Sequence, residues 1–408
     1  MKVIHINVSA SGSTGGISRA IGDKIRANGN QYLLLYGINH TDDVDARRIN
    51  DYFDTHLHDR LSKLTGLQGY FSFFHTISVI QIIRKEKPDI IHLHNIHGNY
   101  LCLPLLFRYL ARMSFPIVIT LHDCWFFTGK CPHYTDIKCE KWKQNCGHCP
   151  QLRIYPKSYF FDRTAKCLKD KRKWFGWIER RLTVVAVSDW LKQNAEQSFL
   201  NKAQICRIYN GIPTDVFKII NVDPIIDRKY GLCGKYVILG VASVWDPRKG
   251  MSDFLKLSMC LDIDECIVMV GLSPKQCENL PKNIVGIPHT ESQADLVQLY
   301  NRADVLFNAS TEETFGMVTA EAMSCGTPVI VYNSTACPEI VTEDTGVIVP
   351  PHNITEVNRA ARMMKESGFK KTNRFNCRKR ALEHFSKEFM AEQYASLYDV
   401  VINKSVIN

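Results

Sequence analysis

The sequence predicts an α/β fold made of two doubly wound domains. Short apolar runs with strand character alternate with helical patterns along most of the 408 residues, which is typical of βαβ units around a parallel sheet. The alternation restarts after a turn-forming stretch, Asn210-Gly211-Ile212-Pro213, and such a stretch indicates a domain boundary. A chain of this length usually exceeds what one hydrophobic core can support, so two domains are expected.

The first set of units begins at the N-terminus. Residues 2–8 are predicted as a strand, residues 12–16 as a loop and residues 17–28 as a helix. Further strands are predicted at residues 31–36, 90–94, 117–122 and 182–188, separated by helices such as 71–87 and 100–113. The run 184–187 is continuously apolar, as expected for a parallel strand that is buried on both faces.

The second set of predicted strands covers residues 236–242, 267–271, 284–287, 305–308 and 328–331. The tail from residue 374 to residue 401 has apolar residues at helical spacing and is predicted as helix. We therefore expect a first domain over residues 1–212, a second over 213–383 and a C-terminal helical segment over 384–408.

Composition and charge exclude several classes of protein. Hydrophobic residues make up 45% and charged residues 23%, which excludes a disordered chain, collagen and a coiled coil. No apolar run reaches the roughly 18–20 residues of a membrane helix, and the N-terminus enters a strand pattern without a signal peptide. We therefore expect a cytoplasmic protein with reduced cysteines.

Most of the net charge of +10 lies in residues 153–181, which hold ten basic and three acidic side chains. No helix-turn-helix, zinc-finger or RNA-binding signature accompanies them, so no nucleic-acid partner is expected. A helix that combines these cations with Trp174, Phe175 and Trp177 could lie on an anionic membrane surface. Alternatively, this is a solvated helix whose aromatic residues pack on the first domain. We favour packing for the aromatic residues and the membrane surface for the charges.

The densest functional signal is residues 311–330, TEETFGMVTAEAMSCGTPVI. Gly316 permits close backbone approach at a predicted helix start, where free amides attract an anion. Glu313 would lie beside that anion, and Glu321, two turns into the helix, suits the vicinal hydroxyls of a ribose. Either glutamate alone fits a helix-start acid or a solvated surface residue. Together, after a predicted strand end, they favour a binding site.

The spacing Glu313-x7-Glu321 around Phe315-Gly316, followed by Glu-Ala-Met-x-Cys-Gly-Thr-Pro-Val, resembles the retaining family-4 glycosyltransferases of GT-B fold. The resemblance covers essentially the whole chain. It implies two Rossmann-like domains facing across a cleft, with the C-terminal helix crossing back to the first domain. It also implies that Glu313 contacts the hydroxyls of the donor sugar and Glu321 the ribose. The amides between them would contact sugar and diphosphate, at Thr314, Phe315, Gly316 and Met317.

Adjacent cations follow another predicted strand, in VASVWDPRKG at residues 241–250. A nucleoside diphosphate leaving group gains negative charge that fixed cations can stabilise. In the resembled family an Arg usually stands five residues before the Lys, where this chain has Val244. We expect Lys249 to bind the diphosphate and Arg248 to substitute for the missing Arg. The alternative is two surface cations that cap a turn.

The first domain supplies further positions that the resemblance implies. Gly15 and Gly16 belong to a glycine stretch that is similar to the family's N-terminal loop over the diphosphate. His122, at a predicted strand end, matches a histidine that contacts the donor sugar. Ile287 is expected beside the nucleobase. The family often has Gly where His289 stands, so uracil and guanine both remain open.

The resemblance implies transfer of a hexosyl unit, with retention, from a UDP- or GDP-sugar to a saccharide hydroxyl. The catalytic set would be Glu313, His122, Lys249 and Arg248. No metal or cofactor is expected in catalysis, because we identify no Asp-x-Asp pair of the kind that holds a metal–diphosphate complex. The similarity to bacterial capsule, O-antigen and exopolysaccharide enzymes suggests a lipid-linked acceptor at the inner face of the membrane. The alternatives are a sugar-nucleotide 2-epimerase and a non-catalytic sugar-nucleotide-binding scaffold protein.

Four of the fifteen cysteines fall within nineteen residues of a Cys-rich insert at 124–149, namely Cys131, Cys139, Cys146 and Cys149. Four thiolates can enclose Zn²⁺ tetrahedrally and fix a loop that is too small for a core of its own. His133 and His148 are competing ligands. The sequence leaves two interpretations open, a structural zinc site and a set of reduced thiols.

Overall fold

Two all-parallel β-sheets organise the chain, one in each of two structural units. The computed structural model describes residues 1–407, with side chains to residue 404. The first unit comprises residues 1–209 and the chain from Met390 onward, and the second comprises Asn210–Phe389. Within the described residues, no helix is both long and apolar enough to cross a bilayer. The predicted α/β class with two doubly wound domains is confirmed.

The sheet of the first unit has seven strands: β1 (Lys2–Ser9), β2 (Gln31–Ile38), β3 (Ala46–Arg48), β4 (Ile90–Leu93), β5 (Ile117–Leu121), β6 (Leu182–Ala186) and β7 (Gln204–Arg207). Their order is β3-β2-β1-β4-β5-β6-β7, and every pairing is parallel. The order reverses between β1 and β4. Ligands of doubly wound sheets bind at the carboxyl ends of strands beside such a reversal.

The helices of the first unit are α1 (Gly12–Ala27), α2 (Tyr52–Thr65), α3 (Phe73–Glu86), α4 (Leu103–Leu110), α5 (Thr164–Gly176) and α6 (Asp189–Glu196). Three short 3-10 turns accompany them at Lys141–Lys143, Glu179–Arg181 and Phe199–Lys202. The prediction of a loop at residues 12–16 was wrong, because α1 already begins at Gly12. A Cβ on Gly15 would lie 2.5 Å from the carbonyl carbon of Ala10, so glycine lets the helix start pack on the end of β1.

The sheet of the second unit has six strands: β8 (Tyr236–Val241), β9 (Glu265–Val270), β10 (Ile284–Ile287), β11 (Val305–Asn308), β12 (Val329–Tyr332) and β13 (Gly346–Val349). Their order is β10-β9-β8-β11-β12-β13. The helices are α7 (Pro224–Tyr230), α8 (Met251–Ser258), α9 (Pro274–Cys277), α10 (Gln293–Arg302), α11 (Met317–Ser324), α12 (Cys337–Ile340), α13 (Ile354–Glu366) and α14 (Phe369–Phe385). A 3-10 turn lies at Pro247–Lys249.

The helical tail is interrupted once, which the sequence did not predict. Helix α14 ends at Phe385 and the last helix, α15, spans Lys387–Ile407. The amide of Ile212 donates to the carbonyl of Phe385 at 2.8 Å, and the amide of Lys387 donates to the carbonyl of Ile212 at 2.9 Å. This bridge between distant segments takes the place of intrahelical bonds. The second unit therefore starts at Asn210 and ends at Phe389, a few residues outside the expected boundaries.

Helix α15 contributes side chains to the core of the first unit. Met390, Tyr394 and Tyr398 are buried in one hydrophobic cluster with Val3 and Ile21. Burial of an apolar side chain of this size stabilises a fold by roughly 1.5–3 kcal/mol. The chain from Met390 onward is thus part of the first unit, although it lies far from its other residues in sequence.

Candidate functional site

Strands β8 and β11 are the central pair of the second sheet and mark the point where its strand order reverses. They pair in parallel through Ile238 with Val305 and Leu239 with Leu306, so both carboxyl ends reach the same edge. Strands β9 and β10 extend to one side and β12 and β13 to the other. Ligands of doubly wound sheets bind at this kind of edge. The loops after β8 and β11, together with α11, carry most of the predicted donor-binding residues.

Lys249 and Glu313 form an ion pair at this edge, between Nζ and Oε1. Lys249 ends the 3-10 turn after β8, and Glu313 follows β11. Their side chains are 28% and 16% exposed, and partial burial makes such a pair stronger than one in open solvent. The amide of Glu313 also donates to Oγ1 of Thr335 at 2.9 Å. Lys249, which is predicted to bind the diphosphate, and Glu313, which is predicted to bind the donor sugar, are therefore direct neighbours.

Arg248 has different partners from its neighbour Lys249. Its guanidinium donates to Oδ2 of Asp246 at 2.6 Å and lies 4.0 Å from a carboxylate oxygen of the buried Glu312. The Arg248 carbonyl accepts from the amide of Thr311 at 2.9 Å, which ties the loop after β8 to the loop after β11. Arg248 is thus neutralised by carboxylates that the sequence analysis did not single out.

Gly316 precedes α11 in the left-handed region, with φ 103° and ψ 60°. The amides of Thr319 and Ala320 already donate to its carbonyl, whereas helix geometry leaves the first amides of α11 without intrahelical acceptors. Phe315 is 2% exposed and its ring packs against Phe385 at 5.6 Å. A bound ligand can therefore contact only the backbone of Phe315, because the side chain of Phe315 belongs to the core.

Glu321 lies on α11 and accepts a hydrogen bond from the hydroxyl of Tyr300 at 2.9 Å. Burial raises the pKa of this carboxyl to about 7, and the hydrogen bond from Tyr300 opposes that rise only partly. The interpretation as a solvated surface residue is therefore wrong. A partly buried carboxylate with one neutral donor retains lone pairs that hydroxyl groups of a ligand can occupy.

Three positions near the expected nucleobase and diphosphate are less informative. Ile287 ends β10 and is 5% exposed, while its carbonyl accepts from the amide of Gly271 at 2.8 Å. His289, in the loop that follows, is exposed. Val244, where the resembled family has Arg, is 66% exposed and offers no charge. Lys249 and Arg248 are therefore the cations of this loop.

The first unit places the remaining predicted residues after β1 and β5. Gly15 and Gly16 lie in the first turns of α1 and not in a loop. A Cβ on Gly16 would meet no atom within 4 Å, so open space adjoins the helix at this residue. His122 follows β5, and its Nε2 lies 3.0 Å from Nδ1 of His94. Burial lowers the pKa of His122 to about 4, so this imidazole is neutral at physiological pH.

His122 is one end of a hydrogen-bonded group of four histidines. His94 continues to His5 at 3.0 Å, and the hydroxyl of Tyr398 contacts His5 at 3.0 Å and His92 at 2.6 Å. The ligand nitrogens of His5, His92 and His94 all lie within 4.8 Å of one another. Thr120 contacts Nε2 of His92, and Ser18 shares Nδ1 of His5 with His94. Hydrogen bonds therefore account for the group without a metal ion.

The four predicted zinc ligands, Cys131, Cys139, Cys146 and Cys149, belong to the chain segment that connects β5 to α5, and they line one small cavity.

Several residues that contact the predicted site residues were not predicted from the sequence, namely Tyr300, His94, Asp246 and Glu312. His94 carried a signal that was not used, because it follows β4 just as His122 follows β5. Tyr300 carried none, since it lies 21 residues from Glu321 in sequence.

Comparisons with known proteins agree with this architecture. The model of the glycosyltransferase family 4 matches residues 24–216, and that of the glycosyl transferases group 1 matches residues 223–382. The MMP alpha-(1->4)-mannosyltransferase of Mycolicibacterium hassiacum is 30% identical over 75% of this chain and 70% of its own length. The colanic acid biosynthesis glycosyl transferase WcaC of Escherichia coli is 25% identical over 78% of each chain.

A solved structure supports the same fold. HepE of Anabaena, crystallised with UDP, aligns with a TM-score of 0.68 at 17% identity, covering 98% of this chain and 100% of that one. The two family models cover the two units in turn, and the mannosyltransferase matches across both. The chain therefore belongs to the family-4 glycosyltransferases of GT-B fold.

Proposed function

We propose that this glycosyltransferase moves a hexosyl unit, with retention, from a UDP- or GDP-sugar to a saccharide acceptor in cell-surface polysaccharide synthesis. The observation that carries the proposal is the Lys249–Glu313 ion pair beside the start of α11, with Glu321 on the same helix. These groups supply a cation, hydroxyl acceptors and free amides at one sheet edge. A relative named for colanic acid biosynthesis, and HepE structures solved with UDP and UDP-glucose, support the same chemistry.

In this proposal the ion pair separates when the donor binds. The diphosphate pairs with Nζ of Lys249, and the sugar hydroxyls donate hydrogen bonds to the carboxylate of Glu313. The bond between the anomeric carbon and the diphosphate oxygen then breaks while the acceptor oxygen attacks from the same face. The acceptor's proton passes to the leaving oxygen, so no side-chain nucleophile is needed. Lys249 and the first amides of α11 stabilise the charge that develops on the diphosphate.

An assay of nucleoside diphosphate release tests the reaction. The purified protein is incubated with UDP- and GDP-hexoses and a saccharide acceptor, and the anomeric configuration of the product is read by NMR. We expect acceptor-dependent release and a product with the donor's configuration. An inverted product would contradict retention. Isomerised sugar nucleotide without an acceptor would indicate an epimerase, and binding without any turnover would indicate a scaffold protein.

Donor binding should stabilise the fold and identify the base. A nucleotide that binds only the native state raises the melting temperature by mass action, by about 5 °C when it is present at 100 times its Kd. We expect a rise with either the uridine or the guanosine series, measured by thermal shift. The matching nucleoside monophosphate is the control, and it should give a smaller rise because it lacks the phosphate nearest the sugar. No rise with either series would contradict the proposed donor class.

We also propose that residues 153–181 contact an anionic membrane that carries a lipid-linked acceptor. Trp174 and Phe175 pack inside the first unit, at 5% and 3% exposure. Trp177, just after α5, is 38% exposed, and more strongly exposed rings lie in the loop before α5, where Phe160 is 69% and Phe161 is 52% exposed. Exposed cations lie on either side of them, at Arg153, Lys157 and Arg163. Aromatic rings between cations favour the interface of an anionic bilayer.

Sedimentation with phosphatidylglycerol vesicles tests this contact. The double substitution Phe160→Ser/Phe161→Ser should lower the vesicle-bound fraction about tenfold, because both rings lose apolar contact with the bilayer. Added salt should weaken binding of the wild type by screening its cations. Phe375→Ser removes an equally exposed ring, at 68%, from the second unit and serves as the control. Equal binding by all three proteins would contradict the proposed contact surface.

A further inference from the structure

The chain between β5 and α5, residues 122–163, contains little regular structure. Its only helical element is the 3-10 turn at Lys141–Lys143. Several of its aromatic residues are nevertheless buried, including Trp125, Phe126 and Trp142. Long irregular segments inside a domain are uncommon and need a specific source of order. A cross-link between its distant parts would supply that order.

Four thiols from this segment line the same cavity, where no three of their sulfur atoms lie within 4.8 Å of one another before a metal draws them together. Cys131, Cys139, Cys146 and Cys149 line a cavity of about 20 Å³, and none of them forms a disulfide. All four are partly buried. A cavity of this size accommodates a single water-sized occupant. The arrangement therefore brings together three separate parts of the loop around one small space.

The turn between Cys146 and Cys149 is held from both sides. Gly147 and His148 have φ angles of 134° and 46°, which bend the backbone sharply between the two thiols. Nζ of Lys141 donates to the carbonyls of Gly147 and His148 at 3.1 and 3.0 Å, and the amide of Cys149 donates to Asp162 at 2.7 Å. The C-x2-C spacing in a fixed turn is the most frequent way in which structural zinc sites present two thiolates.

Two lysines beside the thiols are buried. Nζ of Lys130 donates to three backbone carbonyls at 2.8–2.9 Å, and Nζ of Lys171 donates to the carbonyls of Trp125 and Thr128. The residues are 3% and 2% exposed. Among the side chains that the structure describes, no carboxylate forms an ion pair with either ammonium. A buried cation is costly without a counter-charge.

A buried indole is a second, independent observation that points to a hydrogen-bond acceptor in this cavity. Trp142 is 2% exposed and lines the same cavity as the thiols. Among the residues that the structure describes, its Nε1 finds no hydrogen-bond acceptor. Buried donors in native proteins nearly always have an acceptor. A thiolate sulfur in the cavity would supply one.

We propose that Cys131, Cys139, Cys146 and Cys149 bind one structural Zn²⁺ that cross-links this loop. Binding releases the four thiol protons and forms four Zn–S bonds, so the site carries two negative charges in total. The ammonium groups of Lys130 and Lys171 balance those two charges. The ion orders the loop and takes no part in sugar transfer, so the proposal does not depend on the reaction proposed above.

Metal analysis of the full-length protein tests the proposal. Protein purified under reducing conditions should contain about one zinc per chain by elemental analysis. Removing it with a chelator should lower the melting temperature, and added Zn²⁺, but not Mg²⁺, should restore it. Replacement by Co²⁺ should give the visible absorption of a tetrahedral thiolate site. Protein that contains no zinc, binds none when it is added and melts unchanged with chelator would overturn the proposal.

Variants locate the ion within the chain. Cys146→Ser and Cys149→Ser should each lose most of the zinc, whereas Cys233→Ser, at an exposed cysteine outside the cluster, should keep it. If the cluster variants do not fold, Co²⁺ titration of the chelated wild type provides the same information, since thiolate ligands have a distinct charge-transfer band. Zinc that is retained in folded Cys146→Ser/Cys149→Ser would place the ion elsewhere, such as the His5, His92 and His94 group, and would overturn the proposal.

Discussion

Replacing Lys249 by methionine should lower the rate of sugar transfer by about 10²–10³-fold, the usual effect of removing one fixed group that stabilises a developing negative charge. Methionine keeps the length of the side chain but removes the ammonium that would meet the diphosphate. Initial rates of nucleoside diphosphate release at saturating donor and acceptor measure the effect. The fold should persist, because Lys249 is 28% exposed and lies in a turn outside the sheet core.

Lys365→Met is the matched control for that experiment. Lys365 is 26% exposed and pairs with Asp264 at 2.8 Å and with Glu265 at 2.9 Å, so it resembles Lys249 in burial and in having a carboxylate partner. Glu265 begins β9, at the opposite edge of the sheet from the site. We expect this variant to lose some stability and no activity. Normal turnover in folded Lys249→Met would contradict the diphosphate assignment.

A double-mutant cycle separates the ion pair from the chemistry. Lys249→Met leaves the carboxylate of Glu313 partly buried without its partner, so the single variant should melt below the wild type. Adding Glu313→Gln should recover part of that loss, because the unpaired charge is then gone. The same double variant should remain inactive.

Glu321→Gln should change binding and stability in opposite directions. Glutamine can still accept the hydrogen bond from Tyr300, but it lacks the charge that strengthens hydrogen bonds from ribose hydroxyls. We expect donor affinity to fall by about 10–100-fold, measured by calorimetry. The unliganded protein should gain about 1–3 kcal/mol in its free energy of unfolding at pH 8, since no buried carboxylate has to be ionised.

The sign of the pH dependence follows from the raised pKa. In the folded protein the pKa of Glu321 is about 7, against an ordinary value of 4.5. The folded state therefore holds the proton longer, and the contribution of Glu321 to the free energy of unfolding, measured as the difference between wild type and Glu321→Gln, should decrease as the pH rises from about 4.5 to 7. Donor affinity should increase over the same range, because the carboxylate is the form that accepts the ribose hydroxyls.

Glu321→Gln should lack both of these contributions, whereas Glu343→Gln, which alters an exposed glutamate of the same unit, should keep them. Equal stability of Glu321→Gln and wild type at pH 8 would show that the carboxyl is not strained by burial. Unchanged donor affinity would remove Glu321 from the ribose site. The two readouts are independent, so each can fail without the other.

The locations of strands, but not of every helix end, could be predicted from local patterns. Strands β10 and β11 were predicted at their observed bounds, because short apolar runs between turn residues have few alternative structures. The short edge strands β3, β7 and β13 were missed, since their sequences are only partly buried and carry weak alternation. The start of α1 was missed because glycines disfavour helix. Close packing of Gly15 on Ala10 overrides that preference.

The sequence by itself determined the two α/β units, the helix start after Gly316 and the chemical types of Lys249, Glu313 and Glu321. These follow from periodicity and spacing, which act over a few residues. Only the tertiary structure decided that Lys249 pairs with Glu313, 64 residues away, and that Tyr300 contacts Glu321. The strand order places β8 beside β11, and burial then sets the charge state of each group. Both depend on contacts between distant segments, which no local pattern encodes.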